Sequence, residues 1–319
     1  MARIMTIGEI LVEIMATERG QSFRAPGALV GPFPSGAPAI FIDQVSRLGS
    51  SGGIIGCVGD DDFGWLILDR LRRDGVDTSA IALLTDAVTG TAFVTYTETG
   101  ERHFIFNIAN SASGRLLASS VTESMLADCT WLHVMGSSLF SPGITDAVRR
   151  AIVMVKRRGG VISFDPNIRP EILRTGGRRD ALRFVLEQTD VFLPSGDEVA
   201  LLVDAQTEAE AVELLLALGI REIVVKHGKA GCTYYDRSCR LDMPAFAVCE
   251  VDPTGAGDCF CATYAVCREA GKAIDHSLRY ACASGAVAVT RKGPMEGTAS
   301  FAELDTLIGS LERGRNVHR

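Results

Sequence analysis

Zinc-type cysteine spacing is missing from this chain. Nine cysteines occur, none in a Cys-x-x-Cys pair, so the usual structural-zinc signature is absent. Cys259 and Cys261 stand too close together for an ordinary ligand pair, and an odd total suits free thiols in a reducing compartment. Basic excess is missing too. Lys and Arg number 32 against 39 Asp and Glu, for a net charge of −7, which argues against a nucleic-acid partner. An anionic ligand must therefore be held by local donors rather than by global charge. No apolar run reaches the roughly 18 residues of a membrane span, so no membrane association is expected. The first eight residues read as a short strand rather than a signal peptide, and a cytoplasmic protein is expected. There is no internal repeat, low-complexity segment or Pro-rich linker.

What is present is ordinary globular composition, 47% hydrophobic and 22% charged, over 319 residues. That is enough for a sizeable core, in two domains or in one large α/β domain with an appendage. The chain is organised around residues 251–260, Val-Asp-Pro-Thr-Gly-Ala-Gly-Asp-Cys-Phe. A strand-like run, 245–251, leads in, and a long apolar run, 259–267, leads out. Gly255 and Gly257 let the backbone approach a ligand closely. N–H groups at the start of the following helix point toward an anion, with the helix dipole behind them. Asp258 falls in the first turn, where an acid beside a phosphate cradle suits a base that takes a proton from an attacking hydroxyl. Spacing alone supports a capped helix equally well. The motif is not a Walker A loop, since no Lys-Ser or Lys-Thr follows the glycines, and it lacks the third glycine of the dinucleotide fingerprint.

Along the chain, 3–7 reads as a buried parallel strand, 9–15 as a second extended segment and 17–34 as loop or surface hairpin. Pro38 and Gly49 punctuate a helix over 37–48. A strand over 53–58 precedes Asp60-Asp61-Asp62, which reads as the cap of a helix over 63–74 rather than as a metal site. Alternation over 91–97 and 102–108 about a Gly-bearing turn predicts a β-hairpin. With 9–15 it would build a small sheet over the main domain, a lid of the kind phosphoryl transfer needs to exclude water. Further on, strands are expected at 131–135, 161–165, 191–194, 222–226 and 233–235. Helices are expected at 143–158, 178–187, 197–203, 208–218, 257–270, 275–291 and 301–311. This alternation implies a parallel sheet covered on both faces.

Ligands in such sheets sit at the carboxyl ends of the strands. Polar clusters fall there at Asp165-Pro166-Asn167-Ile168-Arg169, at Ser195-Gly196-Asp197-Glu198 and at Lys226-His227-Gly228-Lys229-Ala230-Gly231. Any one of them reads as loop and cap, and His227 as a bystander; their convergence with the 252–258 motif on one edge points to a site.

Taken together, these residues resemble the ribokinase, or PfkB, family of carbohydrate kinases along nearly the whole chain. The motif Asp252 to Asp258 carries the resemblance. So does a second signature, Ser35-Gly36-Ala37-Pro38-Ala39 through Gly49, continuing into Gly56 to Gly64. The resemblance implies a single domain over 1–319, a three-layer α/β/α sandwich with a small β-sheet lid built from about 9–33 and 88–113. It implies ATP- and Mg²⁺-dependent phosphorylation of a sugar hydroxyl, possible use of K⁺, and a homodimer formed through the lid. Asp258 matches the family base, and the N–H groups of Gly255, Ala256 and Gly257 match its anion hole. Glu198 matches the acid that helps hold Mg²⁺ through water. Ser195, Lys226, Gly228, Gly231 and Cys282 match positions near the nucleotide. Asp252, with the backbone of 288–293, matches a monovalent-cation site. Glu13, Gly36 and Asn107 match positions near the sugar. Arg169 matches an Arg facing substrate and transferred phosphate in members resembling 2-keto-3-deoxygluconate kinase, where a guanidinium neutralises developing charge.

Departures from the family pattern bear on the substrate. Ile40 stands where Asn is usual, Glu13 where Asp is common, Ser195 and Cys282 where Asn is common, and Gly297 where a hydroxyl residue is frequent. Ketodeoxygluconate kinases carry Tyr-Tyr-Arg on the lid hairpin, and Ile105-Phe106-Asn107 aligns there. Loss of that Arg removes a charge-assisted pair worth about 1.5–3 kcal/mol to an acidic sugar. A neutral ketohexose such as tagatose or fructose is therefore expected, and 31–40 also looks similar to tagatose-kinase-like members. The alternatives are 2-keto-3-deoxygluconate, a nucleoside acceptor, or a non-catalytic sugar or nucleotide sensor on the same fold.

Overall fold

The computed structural model describes residues 3–99, 102–168 and 177–317. The chain opens with β1 (Ile4–Ile7), β2 (Leu11–Arg19), β3 (Leu29–Ser35), α1 (Ala37–Arg47), β4 (Gly52–Gly59) and α2 (Asp62–Arg73). It continues through β5 (Ile81–Leu84), β6 (Gly90–Tyr96), β7 (Arg102–Asn107), β8 (Trp131–Met135), α3 (Pro142–Arg157), β9 (Val161–Asp165) and α4 (Arg178–Glu187). Then come β10 (Val191–Phe192), α5 (Glu198–Leu201), α6 (Glu208–Ala217), β11 (Glu222–Lys226), β12 (Cys232–Tyr235) and β13 (Arg240–Met243). Three helices close the chain: α7 (Ala256–Glu269), α8 (Ile274–Ala288) and α9 (Phe301–Val317).

Among the described residues, nine strands form the main sheet in the order β13-β12-β11-β10-β9-β8-β1-β4-β5. Pairing is parallel from β11 to β5 and antiparallel at the β12–β13 edge. The inner strands are buried on both faces, so adjacent residues feed opposite cores: Ile54 joins one and Ile55 the other. The first core packs α1, α2, α7, α8 and α9 on the sheet, and the second packs α3 to α6 on its opposite face. This is the three-layer α/β/α architecture. No helix among the described residues is long and apolar enough to cross a membrane.

A second sheet, β3-β2-β6-β7, stands apart from the first. Its β2–β3 and β6–β7 pairs are antiparallel, and β2–β6 is parallel. One expectation is corrected. The run 245–251 is irregular, so the 252–258 motif follows a crossover rather than a strand end, and Val251 is exposed. Of the two readings of 17–34, loop or surface hairpin, the hairpin is the one found: β2 runs on to Arg19, β3 begins at Leu29, and the two pair antiparallel. The acidic triplet does cap α2: Asp61 accepts from Gly64 N at 2.8 Å and from the Thr89 hydroxyl at 2.7 Å.

Candidate active site

The site is built around the start of α7. Gly255 is its N-cap with φ of 80°, and a Cβ there would lie 2.4 Å from the Pro294 carbonyl oxygen. Only glycine meets both conditions. No side chain caps this helix; Ala256 N makes only a long 3.4 Å bond to the Pro253 carbonyl, so the helix start is open to an anionic ligand. Asp258, in the first turn, is buried and lines a cavity of about 510 Å³ between the two sheets. Its pKa is pushed up to about 8, mostly by burial, then by the charge of Asp165, with Lys226 pulling the other way. A buried acid that holds its proton near neutrality is tuned for proton transfer.

Strand ends of the main sheet furnish the floor. Lys226, at the end of β11, reaches Asp165, at the end of β9, with its ammonium 2.5 Å from Oδ2. The Cys261 thiol, one turn along α7 from Asp258, lies 3.4 Å from each partner. Burial works against the ammonium charge, but Asp165 holds the Lys226 pKa above its ordinary value. A Cβ at Gly257 would stand 3.7 Å from Nζ, so this cation lies under the first turn of α7. Glu198 receives Ile168 N on Oε1 at 2.6 Å and Ser195 N on Oε2 at 2.8 Å. Burial first, and Asp165 second, push its pKa up to about 7.

The four-stranded sheet roofs the cavity. Side chains alternate along a strand, so Arg102, Phe104 and Phe106 of β7 face inward. Leu11 and Glu13 of β2 line the same side. Glu13 accepts from the Ser35 hydroxyl at 2.6 Å, and Glu9 accepts from Ser137 at 2.8 Å and from Ser138. Gly36, with φ of 107°, opens α1 at the rim, where a Cβ would meet the Glu9 carbonyl oxygen at 2.5 Å.

A buried acid at an uncapped helix start, over a cavity roofed by a separate sheet, is the geometry of phosphoryl transfer to a hydroxyl. Residues 1–300 match the model of the pfkB family carbohydrate kinases. The chain belongs to the PfkB family. It is similar to fructokinase-1 of Zea mays, with 31% identity over 96% of this chain and 97% of the maize protein. A solved structure of a candidate ribokinase II from E. coli, in complex with ATP and Mg²⁺, shares 52% identity over 97% of this chain and 100% of that one, at a TM-score of 0.94. A fructokinase from Vibrio cholerae, solved with fructose, ADP and potassium, shares 26% identity over 96% of this chain and 98% of that one, at a TM-score of 0.83.

In this PfkB kinase the cavity brings together Asp258, Gly255, Gly257, Ser195, Lys226, Glu198, Glu13 and Gly36. Ala256 begins α7 beside them. Arg169 lies outside the described residues. Two placements are corrected. Asn107 does not line the cavity: strand alternation puts it with His103 and Ile105 on the other face of β7, within 3.4 Å of Thr91. Cys282 is turned into the core, its thiol 3.6 Å from that of Cys232, and is not part of the cavity lining. Gly228 and Gly231 shape the β11–β12 turn away from the cavity lining; a Cβ at Gly231 would strike the Met243 carbonyl oxygen. Asp252 is buried, its Oδ1 receiving Thr254 N and Oγ1 and its Oδ2 receiving Gly293 N at 3.1 Å.

The sequence placed Asp165 in a strand-end cluster without a role of its own, and it gave no role to Arg102, Arg178 or Glu9, which also line the cavity. Arg102 was findable, because Arg102-x-Phe104-x-Phe106 is an inward-facing alternation. Among the described residues, no group of three acidic, His or Cys side chains is arranged to hold a metal alone. Asp165, Asn167 and Glu198 bring oxygen donors to one wall, which fits Mg²⁺ held largely by water and phosphate.

Proposed function

We propose that this kinase transfers the γ-phosphate of ATP to a terminal hydroxyl of a neutral ketohexose, with fructose the leading acceptor and tagatose the next. The observation that carries the reading is Asp258, buried in the first turn of α7 and facing the roofed cavity. The acceptor lies under the second sheet, its hydroxyls on Glu9 and Glu13. Asp258 takes the hydroxyl proton, the oxygen attacks the γ-phosphorus in line, and ADP leaves. The N–H groups of Gly255, Ala256 and Gly257 receive the developing negative charge, and Lys226 adds a buried cation beneath them. Arg169, by its resemblance to the family Arg, would add a second guanidinium charge against the transferred phosphate. Glu198 and Asn167 would hold Mg²⁺ through water, and the ion would neutralise the phosphate oxygens. Ser195, Gly228 and Gly231 would border the nucleotide.

A monovalent cation fits beside Asp252, as potassium accompanies the V. cholerae fructokinase. Because the Asp252 carboxylate is engaged by Thr254 and Gly293, it would act by shaping the 288–293 backbone. The outer face of the second sheet carries a cross-strand row, Ile14–Phe93–Ile105, with Phe23 edge-on to Phe93 at 5.8 Å. A second copy of the chain would cover it in a homodimer.

One observation favours a second reading. Arg102 and Arg178 line the cavity, so an acidic sugar such as 2-keto-3-deoxygluconate would find a cation there. The neutral sugar is preferred because Glu9 and Glu13 repel a carboxylate while binding hydroxyls, and because Arg102 is already spent on Thr254. ADP release on fructose, tagatose, ketodeoxygluconate, ribose and adenosine decides the matter. Highest kcat/KM on a ketohexose is expected. Turnover of ketodeoxygluconate alone moves the reading to the acid, and turnover on none of them favours a sensor.

A further inference from the structure

The roof and the phosphate-binding loop of this site touch through a side chain to which the transfer chemistry gives no part. Arg102, at the start of β7, donates from Nη1 to Thr254 Oγ1 at 2.9 Å. Thr254 belongs to the loop that enters α7. Its hydroxyl has one proton, which goes to Asp252 Oδ1 at 2.7 Å, so toward the guanidinium it must accept. The chain continues: Asp252 Oδ2 receives Gly293 N at 3.1 Å. Pro294, the next residue, presses its carbonyl oxygen against Gly255, the N-cap of α7. The same sheet makes a second touch at this point, where the Phe33 ring of β3 packs on Gly293, 3.0 Å from where a Cβ would stand. On the sheet side, the Arg102 guanidinium lies 5.6 Å from the ring centre of Phe104, which itself stacks on Phe106 along the roof of the cavity. The surface that covers the acceptor and the loop that shapes the anion hole are thus joined by an unbroken path.

We propose that Arg102 is a positioning residue: through Thr254 it latches the four-stranded sheet to the loop ahead of α7, so that the anion hole is set when the acceptor is covered. The proposal rests on reading this cavity as the acceptor site. A bare structural bond would hold the sheet and nothing else. A latch also orders the loop, and it works in both directions, since coupling between two sites is reciprocal.

Four variants test it: Arg102→Ala, Arg102→Lys, Thr254→Val and the Arg102→Ala/Thr254→Val pair. Hydrogen exchange followed without any sugar requires no choice of acceptor. Arg102→Ala is expected to speed exchange at 90–107 and also at 252–257, and Thr254→Val is expected to speed it at 90–107. Acceleration confined to the mutated side in both variants overturns the latch. With the best acceptor of the panel, Arg102→Ala is expected to raise KM and lower kcat, for a combined loss of about ten-fold or more in kcat/KM, one hydrogen bond to a charged group being worth at least that. Arg102→Lys recovers part of the loss. The double variant is expected to be no worse than the more damaged single one, as for residues acting through one interaction. Fully additive losses mean that Arg102 acts on the substrate directly, and they overturn the proposal. Failure of fructose as an acceptor leaves the exchange result standing, so the two readings fail separately.

Discussion

At the scale of a residue, Asp258 decides most. Replacing it with Asn keeps the shape and removes the base, so kcat is expected to fall by about 10²–10⁴-fold while ATP still binds. Near-normal turnover in a coupled ADP assay would sink the mechanism. The raised pKa gives the same residue a pH signature. The base works deprotonated, so kcat/KM of the wild type is expected to climb with pH and level off above about pH 8. Stability should run the opposite way. An acid whose folded pKa lies above its unfolded value keeps its proton only when folded, so between pH 4 and pH 8 the folded state loses ground as pH rises. Asp258→Asn is therefore expected to melt like the wild type near pH 4 and higher than it at pH 8–9. Equal melting temperatures across that range, read by calorimetry, would show that Asp258 carries no burial cost. The chain spells this residue plainly, because Gly-Ala-Gly-Asp before an apolar run states a close approach, a helix start and an acid together. Asp165 and Lys226 are less legible. Each sits inside a strand-end cluster, but their pairing joins residues 61 positions apart, and only the order of β9, β10 and β11 brings them together.

At the scale of elements, α1, α2 and the segment after α8 are clamped by one guanidinium. Arg70 of α2 bonds Asp74 at 2.5 Å, Glu296 at 2.9 Å and the Met295 carbonyl at 2.6 Å, and it pairs with the buried Asp43 of α1 at 3.4 Å. Thr298 donates to Asp43 at 2.8 Å, while Gln44 and Ala299 exchange two hydrogen bonds. The clamped segment contains Pro294, which backs Gly255. Removing one member of a buried pair leaves the other charge stranded, so Arg70→Met is expected to cost about 3–5 kcal/mol in urea unfolding. A loss under about 1 kcal/mol would mean that Asp43 simply takes up a proton; burial already pushes its pKa up to about 7. Most elements could be read from the chain, since parallel strands buried on both faces are continuous apolar runs bounded by turn residues. The runs that misled did so for physical reasons. The 245–251 segment has strand-like residues but no neighbouring strand to bond. By contrast β5 and β13 are short, half-exposed edge strands whose pairing, rather than their composition, makes them strands. Asn107 stands on the outer face because the position of a hairpin in the chain does not settle its parity, and a one-residue slip sends a side chain to the opposite face.

At the scale of the whole molecule, the second sheet has two faces with different tasks. Its inner face roofs the cavity with Arg102, Phe104 and Phe106. Its outer face presents Ile105, 52% exposed, in register with Phe93 and Ile14, while β7 offers a free edge to solvent. An apolar row beside an open edge invites pairing unless something covers it. A second copy satisfies both conditions, because a two-fold axis brings the same row against itself. Light scattering is therefore expected to give a mass about twice the 34.1 kDa of the chain. Ile105→Asp places a charge at the centre of the contact and should return the mass to that of one chain. It should also lower kcat/KM, because the roof would lose its outer support while Asp258 and the α7 loop stay intact. A monomeric wild type at working concentration would remove the dimer from the reading. A dimer indifferent to Ile105→Asp would move the contact to another face, leaving the roof to hold its shape through β2–β6 pairing and the Arg102–Thr254 bond alone.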